Sequence, residues 1–199
     1  MSTGGAGPMG PHDLIHHLHE QLDWHWKVAA RPRLDGLTDE EYLWEPAPRS
    51  WSLRRRDEPA PAGVTDRLGS GEWLLDFSDP EPEPVPVTTI AWRLGHVIGG
   101  VLGARAHSHF GGPPTDPQTW AYAGTAAEAL AQLDEAYAAW SAGVVALTPE
   151  ALDRPVGPAE GPWAEHPMIE LVLHINRETI HHLAEVALLR DLWAHGLGR

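Results

Sequence analysis

The chain has 199 residues, long enough to bury a hydrophobic core without disulfides or structural metals. Its 28 acidic residues outnumber 14 basic ones, and the resulting formal charge of -14 repels a phosphate backbone, so nucleic acid is not an expected partner. Cysteine is absent, which excludes thiolate ligands, CxxC redox chemistry and a cysteine nucleophile, and leaves histidine and carboxylate to carry any metal chemistry.

Residues 1–11 are small and read as a flexible N-terminus without the basic start and apolar run of a secretory signal. No apolar segment reaches membrane-spanning length, so the expectation is a cytoplasmic protein with no membrane partner. Residues 12–199 read as a single domain. Its first helix runs from His12 to about Ala30, with Leu14, Leu18, Leu22 and Trp26 four residues apart on the core face, and ends near Arg31-Pro32. A short helical piece follows over residues 37–44, capped by Thr38 with Glu41 three residues on.

Residues 45–88 are rich in proline and charge and show no sustained period, so they read as a long irregular excursion whose Trp51 and Trp73 pack back on the helices. The run Arg54-Arg55-Arg56-Asp57-Glu58 reads as a solvated surface. A second helix from Thr88 or Thr89 to about His109 buries Ile90, Leu94, Val97, Ile98, Val101 and Leu102. A third covers Thr125 to Ala146 through Leu130, Leu133, Tyr137 and Trp140, and a fourth runs from Pro167 to about Ala194 after a second irregular stretch over 153–166. Four long helices and no convincing strand predict an all-α four-helix bundle with long irregular loops.

The chemistry concentrates on the fourth helix. At about 100° per residue, His174, Glu178, His181, His182 and Glu185 share one face with Leu171, Leu189 and Leu192, a polar island in a stripe that is otherwise core. Burying a carboxylate beside histidines costs several kcal/mol unless a partner such as a cation compensates. Glu178 and His182, one turn apart, can grip one metal ion, and His96, mid-helix in an apolar segment, is the third ligand expected from another helix. Gly99, Gly100 and Gly103 lie with Trp92 on the His96 side; each costs about 1 kcal/mol in a helix. They mark either close packing or space kept for a ligand. His174 and His181 are second-layer donors or a spare ligand, and Glu185 can orient a ligand through its ring N–H. His12, His16, His19, His107 and His109 read as surface or capping residues. No GxSxG, P-loop or dinucleotide fingerprint is present.

Together, Leu37-Thr-Asp-Glu-Glu with Trp44, Trp51-Ser-Leu, Thr88-Thr-Ile-Ala-Trp-Arg-Leu-Gly-His96 and His174-Ile-Asn-Arg-Glu178-Thr-Ile-His-His182 resemble the DinB-like superfamily of metal-binding four-helix bundles. The likeness is to its actinobacterial, mycothiol-dependent branch, with the E-x3-H pair similar to the maleylpyruvate isomerase group. That group carries an additional C-terminal domain which this sequence does not provide, so the resemblance covers the bundle and its metal site. It implies a divalent metal, zinc before nickel, iron or manganese, held by His96, Glu178 and His182. It also implies that the metal activates a low-molecular-weight thiol cosubstrate toward a small electrophile, as a thiol S-transferase or thiol-dependent isomerase, with Glu185 or His181 handling protons. A metal-dependent hydrolase with His181 or Glu185 as base is the alternative enzyme, and a non-catalytic metal-binding stress-response bundle, as a homodimer, is the alternative of another class.

Overall fold

The computed structural model describes residues 11–198, without the side chains of 11–13. Residues 1–10 and the His12 side chain, both given roles above, lie outside the described residues.

Helix α1 (Pro11–His25) buries Ile15, Leu18 and Leu22 and continues through a wider π-helical turn (Trp26–Ala30) into a 3-10 turn (Arg31–Leu34). Pro32 does not stop the chain as expected, because it sits in the first turn of that 3-10 piece, where no N–H is required. α2 (Asp39–Tyr42) starts at Thr38, whose hydroxyl accepts from the Glu41 amide. The Glu41 carboxylate does not turn back to the cap; buried at 3 % exposure, it receives Arg190 Nε at 2.9 Å from the last helix.

α3 (Ile90–Gly95), a π-helical stretch (His96–Gly103) and α4 (Ala104–Phe110) run on as one rod. Thr89 caps it by accepting from the Trp92 amide, and Gly111, at φ +69°, ends it in the left-handed conformation that glycine adopts without strain. α5 (Ala126–Val145) is capped by Thr125, the short α6 (Pro149–Leu152) by Thr148, and α7 (Met168–Leu192) begins after Pro167. α1 and the 90–110 rod each pack against both α5 and α7, so the four long helices form the expected bundle around Leu34, Ile90, Leu94, Leu102, Leu133 and Trp140. Trp26, in the π-helical turn after α1, stacks on Tyr137 of α5 at 3.9 Å. No helix among the described residues is long and apolar enough to cross a membrane.

The 45–88 excursion is not irregular throughout. It contains an antiparallel sheet of β1 (Leu53–Arg55), β2 (Asp66–Leu68) and β3 (Trp73–Phe77) in the order β1-β3-β2, with Leu53 and Leu68 both opposite Leu75. Leu53, Leu68, Leu74 and Leu75 are buried, and Trp51 and Trp73 pack as expected, Trp51 fully. Arg54 departs from the solvated reading. Its Nε donates to fully buried Asp76 at 3.0 Å and its Nη2 lies 2.8 Å from Glu45, because a buried carboxylate needs a cation beside it.

Phe110 seals the end of the rod against Gly143 of α5. A Cβ at Gly143 would lie 2.0 Å from Phe110 Cδ2 and 2.7 Å from its Cβ, so the root of the side chain, not just its tip, would have to move. Alanine gains about 1 kcal/mol in helix propensity. Overpacking costs about 1–3 kcal/mol, and with the ring root displaced the upper part of that range applies. Gly143→Ala is therefore expected to lower the denaturant midpoint; an unchanged or raised midpoint would show that Phe110 moves freely.

Candidate metal centre

His96 opens the π-helical stretch and presents its ring to α7. Trp92, one turn earlier, stacks on it at 5.4 Å and 15°, and Trp92 is itself held by its indole N–H donating to the Asp76 carbonyl of β3 at 2.8 Å. The sheet thus positions the histidine through one tryptophan. The glycines answer to both readings offered above. A Cβ at Gly103 would fall 2.5 Å from the Ile98 carbonyl and 2.8 Å from Thr115, which is close packing, whereas at Gly100 it would meet the His96 ring at 3.3 Å, so that glycine leaves room for the imidazole.

From α7, His182 meets His96 edge to face at 4.8 Å. Donor atoms of His96, Glu178 and His182 all lie within 4.8 Å of one another. His182 is buried at 8 % exposure, and its Nδ1 is 2.8 Å from Glu185 Oε2 while its Nε2 is 3.4 Å from Glu178 Oε2. Arg93 Nη1 also approaches Nδ1 at 3.3 Å, but Arg93 Nε pairs with Glu185 at 3.1 Å, and the shorter carboxylate contact assigns the proton to Nδ1. Nε2 then carries a lone pair aimed at a carboxylate oxygen.

Burial above all, with the neighbouring His182 ring and the charges of Arg93 and Arg105 adding to it, pushes the His96 pKa down to about 3, so this ring is neutral across the physiological range and free to donate a lone pair. Burial also lowers the Arg93 pKa, against the opposing pull of Glu185. His181 projects outward, with 62 % of its side chain exposed and Nε2 3.5 Å from Glu185 Oε1; with His182 and Glu185 it forms a second, more open cluster. His174 Nδ1 accepts from Arg177 at 2.7 Å and lies 3.8 Å from Glu178 Oε1. It is near the triad but outside the three-residue group.

A family model for the DinB superfamily matches residues 21–186. The chain belongs to the DinB superfamily. No curated protein and no solved structure matches it. Its DinB bundle brings together the three residues that the sequence singles out from two helices 82 positions apart at their nearest, His96 and Glu178.

Two partners of this region are not legible as such in the sequence. Arg93 is one, although an arginine three residues before His96 on an apolar helix is the signal that marks it. The other is Glu160. His109, read above as surface or capping, has only 5 % of its side chain exposed and holds Glu160 Oε1 at 2.9 Å, while Arg105 holds Oε2 at 3.1 Å. This pins the loop containing the 3-10 turn Pro158–Trp163 to α4. Of the other peripheral histidines, His16 and His107 lie at the surface or a helix end as expected, whereas His19 is half-buried between α1 and α5. His16 is exposed, His107 meets the Gly112 carbonyl at the helix end, and His19 reaches Ser141 at 2.7 Å.

The bonds from His109 and Arg105 hold the Glu160 pKa below its ordinary value despite the opposing effect of burial. A depressed carboxylate stabilises the folded form above its unfolded pKa, and that contribution fades as pH falls through the lower, folded value. The loop is thus expected to stay pinned at pH 6 and to come loose below about pH 4. Hydrogen exchange of residues 158–166 against pH checks this; Glu160→Gln should show the faster exchange already at pH 7.

Proposed function

We propose that this protein is a metal-dependent enzyme in which His96, Glu178 and His182 hold one divalent cation, zinc by preference, and which uses it on a low-molecular-weight thiol cosubstrate. The observation that carries the reading is the His182 Nε2 to Glu178 Oε2 contact at 3.4 Å. With the proton on Nδ1, both atoms are acceptors, and two acceptors turned toward each other want a cation between them. A doubly protonated His182 would also satisfy Glu178, but it would place a second positive charge 3.3 Å from the Arg93 guanidinium.

The donor set fits. Two neutral imidazoles and a carboxylate are common ligands of catalytic zinc, and three protein donors, one fewer than in a closed structural site, leave a position for water or substrate. Bound there, a divalent cation supplies Lewis acidity that favours the thiolate over the thiol. The chain's own residues do the rest. Glu185 keeps the proton on His182 Nδ1, Arg93 fixes Glu185, Trp92 orients His96, and exposed His181 is placed to exchange protons with solvent. The chain has no cysteine, so the thiol must enter as a cosubstrate.

Purified protein, with metal content measured, should turn over an electrophilic chromophore only when a low-molecular-weight thiol is added, and should lose this activity in His96→Ala and Glu178→Ala together with the metal. Turnover of esters or amides without thiol would replace this reading with metal-dependent hydrolysis. Metal binding without turnover of either class would leave a metal-binding bundle.

A further inference from the structure

Between α7 and the loop holding Trp163 lies a cleft of about 490 Å³, the size of a small-molecule site. Its walls leave large apolar side chains open to water, Trp163 at 63 % and Leu173 at 50 % exposure. One end lies beside Glu178. His174 and Arg177 line the cleft, and both approach Glu178 Oε1, at 3.8 and 3.6 Å.

The charges of this cleft are not equally engaged. Glu160 is held by Arg105 and His109, and Glu170 receives His166 at 2.6 Å. Arg177 differs. Its Nη2 donates to His174 Nδ1, 68 % of its side chain is exposed, and the carboxylate it approaches is Glu178, beyond hydrogen-bond range. Once Glu178 holds a cation, that carboxylate no longer balances the guanidinium. The His174 contact also fixes the direction of the guanidinium, which lowers the entropy lost when it grips a ligand.

We propose that this cleft binds a small organic carboxylate. Its aromatic or branched apolar body lies against Trp163 and Leu173, and its carboxylate is held by Arg177 at the end of the cleft beside Glu178. The assignment deepens the metal-enzyme reading and rests on it for the release of Arg177 from Glu178.

Phenylacetate and its neutral isostere phenylacetamide test it, titrated calorimetrically into the full chain with and without zinc. Phenylacetate should bind at least tenfold more tightly to the zinc-loaded protein. In Arg177→Gln the preference should fall below about threefold with the zinc content unchanged, since a guanidinium to carboxylate contact is the stronger, charge-assisted one. Trp163→Ala should weaken both probes alike. Equal affinity for the two, no binding of phenylacetate at millimolar concentration, or a preference that survives Arg177→Gln overturns the proposal. Elemental analysis separates the two readings. A chain that holds zinc but shows no preference refutes the cleft assignment alone. A chain that holds no zinc yet prefers phenylacetate through Arg177 refutes the metal reading and the release of Arg177 by it, and leaves only the carboxylate site of the cleft standing.

Discussion

His182→Ala is expected to reduce metal affinity by more than about 100-fold, the upper end of what removal of an outer partner costs. The variant loses a donor and also the group through which Glu185 and Arg93 reach the centre, since Glu185 lies 2.8 Å from Nδ1 and Arg93 3.1 Å from Glu185. Glu185→Gln should fall between, at about 10–100-fold, because the ligand atom remains and only the proton on Nδ1 is less firmly held. The order of the two effects is the informative part. Titration with a zinc-competing chelating dye reads both, and thermal midpoints with added zinc give an independent measure, because a ligand that binds only the folded chain stabilises it in proportion to the logarithm of its affinity. If Glu185→Gln proves the more damaging, Glu185 is itself a ligand and the centre is the His181, His182, Glu185 cluster instead.

Trp140→Ala carries the largest expected stability loss, about 3–5 kcal/mol. The ring is 1 % exposed on the inner face of α5, 5.2 Å from Phe110, at the place where the rod ends and where Gly143 already admits no extra atom. That crowding leaves little room for collapse into the cavity. For a chain of this length the loss corresponds to a fall of on the order of 10 °C in the thermal midpoint. Trp140→Phe should cost distinctly less. The indole Nε1 is buried without a protein partner, so the smaller ring gives up contacts but also removes an unsatisfied donor, which offsets about 1–3 kcal/mol. Calorimetry on the three proteins settles the order; equal losses for alanine and phenylalanine would mean that the indole nitrogen is satisfied.

The sequence made the helices legible where a short-range signal and a buried stripe coincide. Thr125 and the Thr89 alternative cap helices where the expected helices begin, and the grouping of His96, Glu178 and His182 follows from one-turn spacing on α7 plus one histidine in an apolar helix. What stayed hidden depends on distant partners. β1 and β2 are three residues long and charged, Leu-Arg-Arg and Asp-Arg-Leu, and no alternation can emerge over three positions. Arg54 reads as surface until Asp76 is known to lie beneath it, and His109 until Glu160 is brought over from 51 positions away. A helical period says which side of a rod is apolar, not which charges another segment will bury against it.

The π-helical stretch His96–Gly103 has a further consequence. In a regular α-helix, residues nine apart differ by about 900°, so His96 and Arg105 would project from opposite sides. Bonds that reach five residues back, such as the Ala104 amide to the Gly99 carbonyl, advance the chain by less than 100° per residue. The shortfall accumulates over the stretch and swings Arg105 round toward the azimuth of His96, near enough for its charge to act on that ring and for it to line the cleft beside α7. The stretch works as a phase shifter between two halves of one helix, one half setting His96 and the other a wall of the cleft, and a single-residue change of length within it would turn the two out of register.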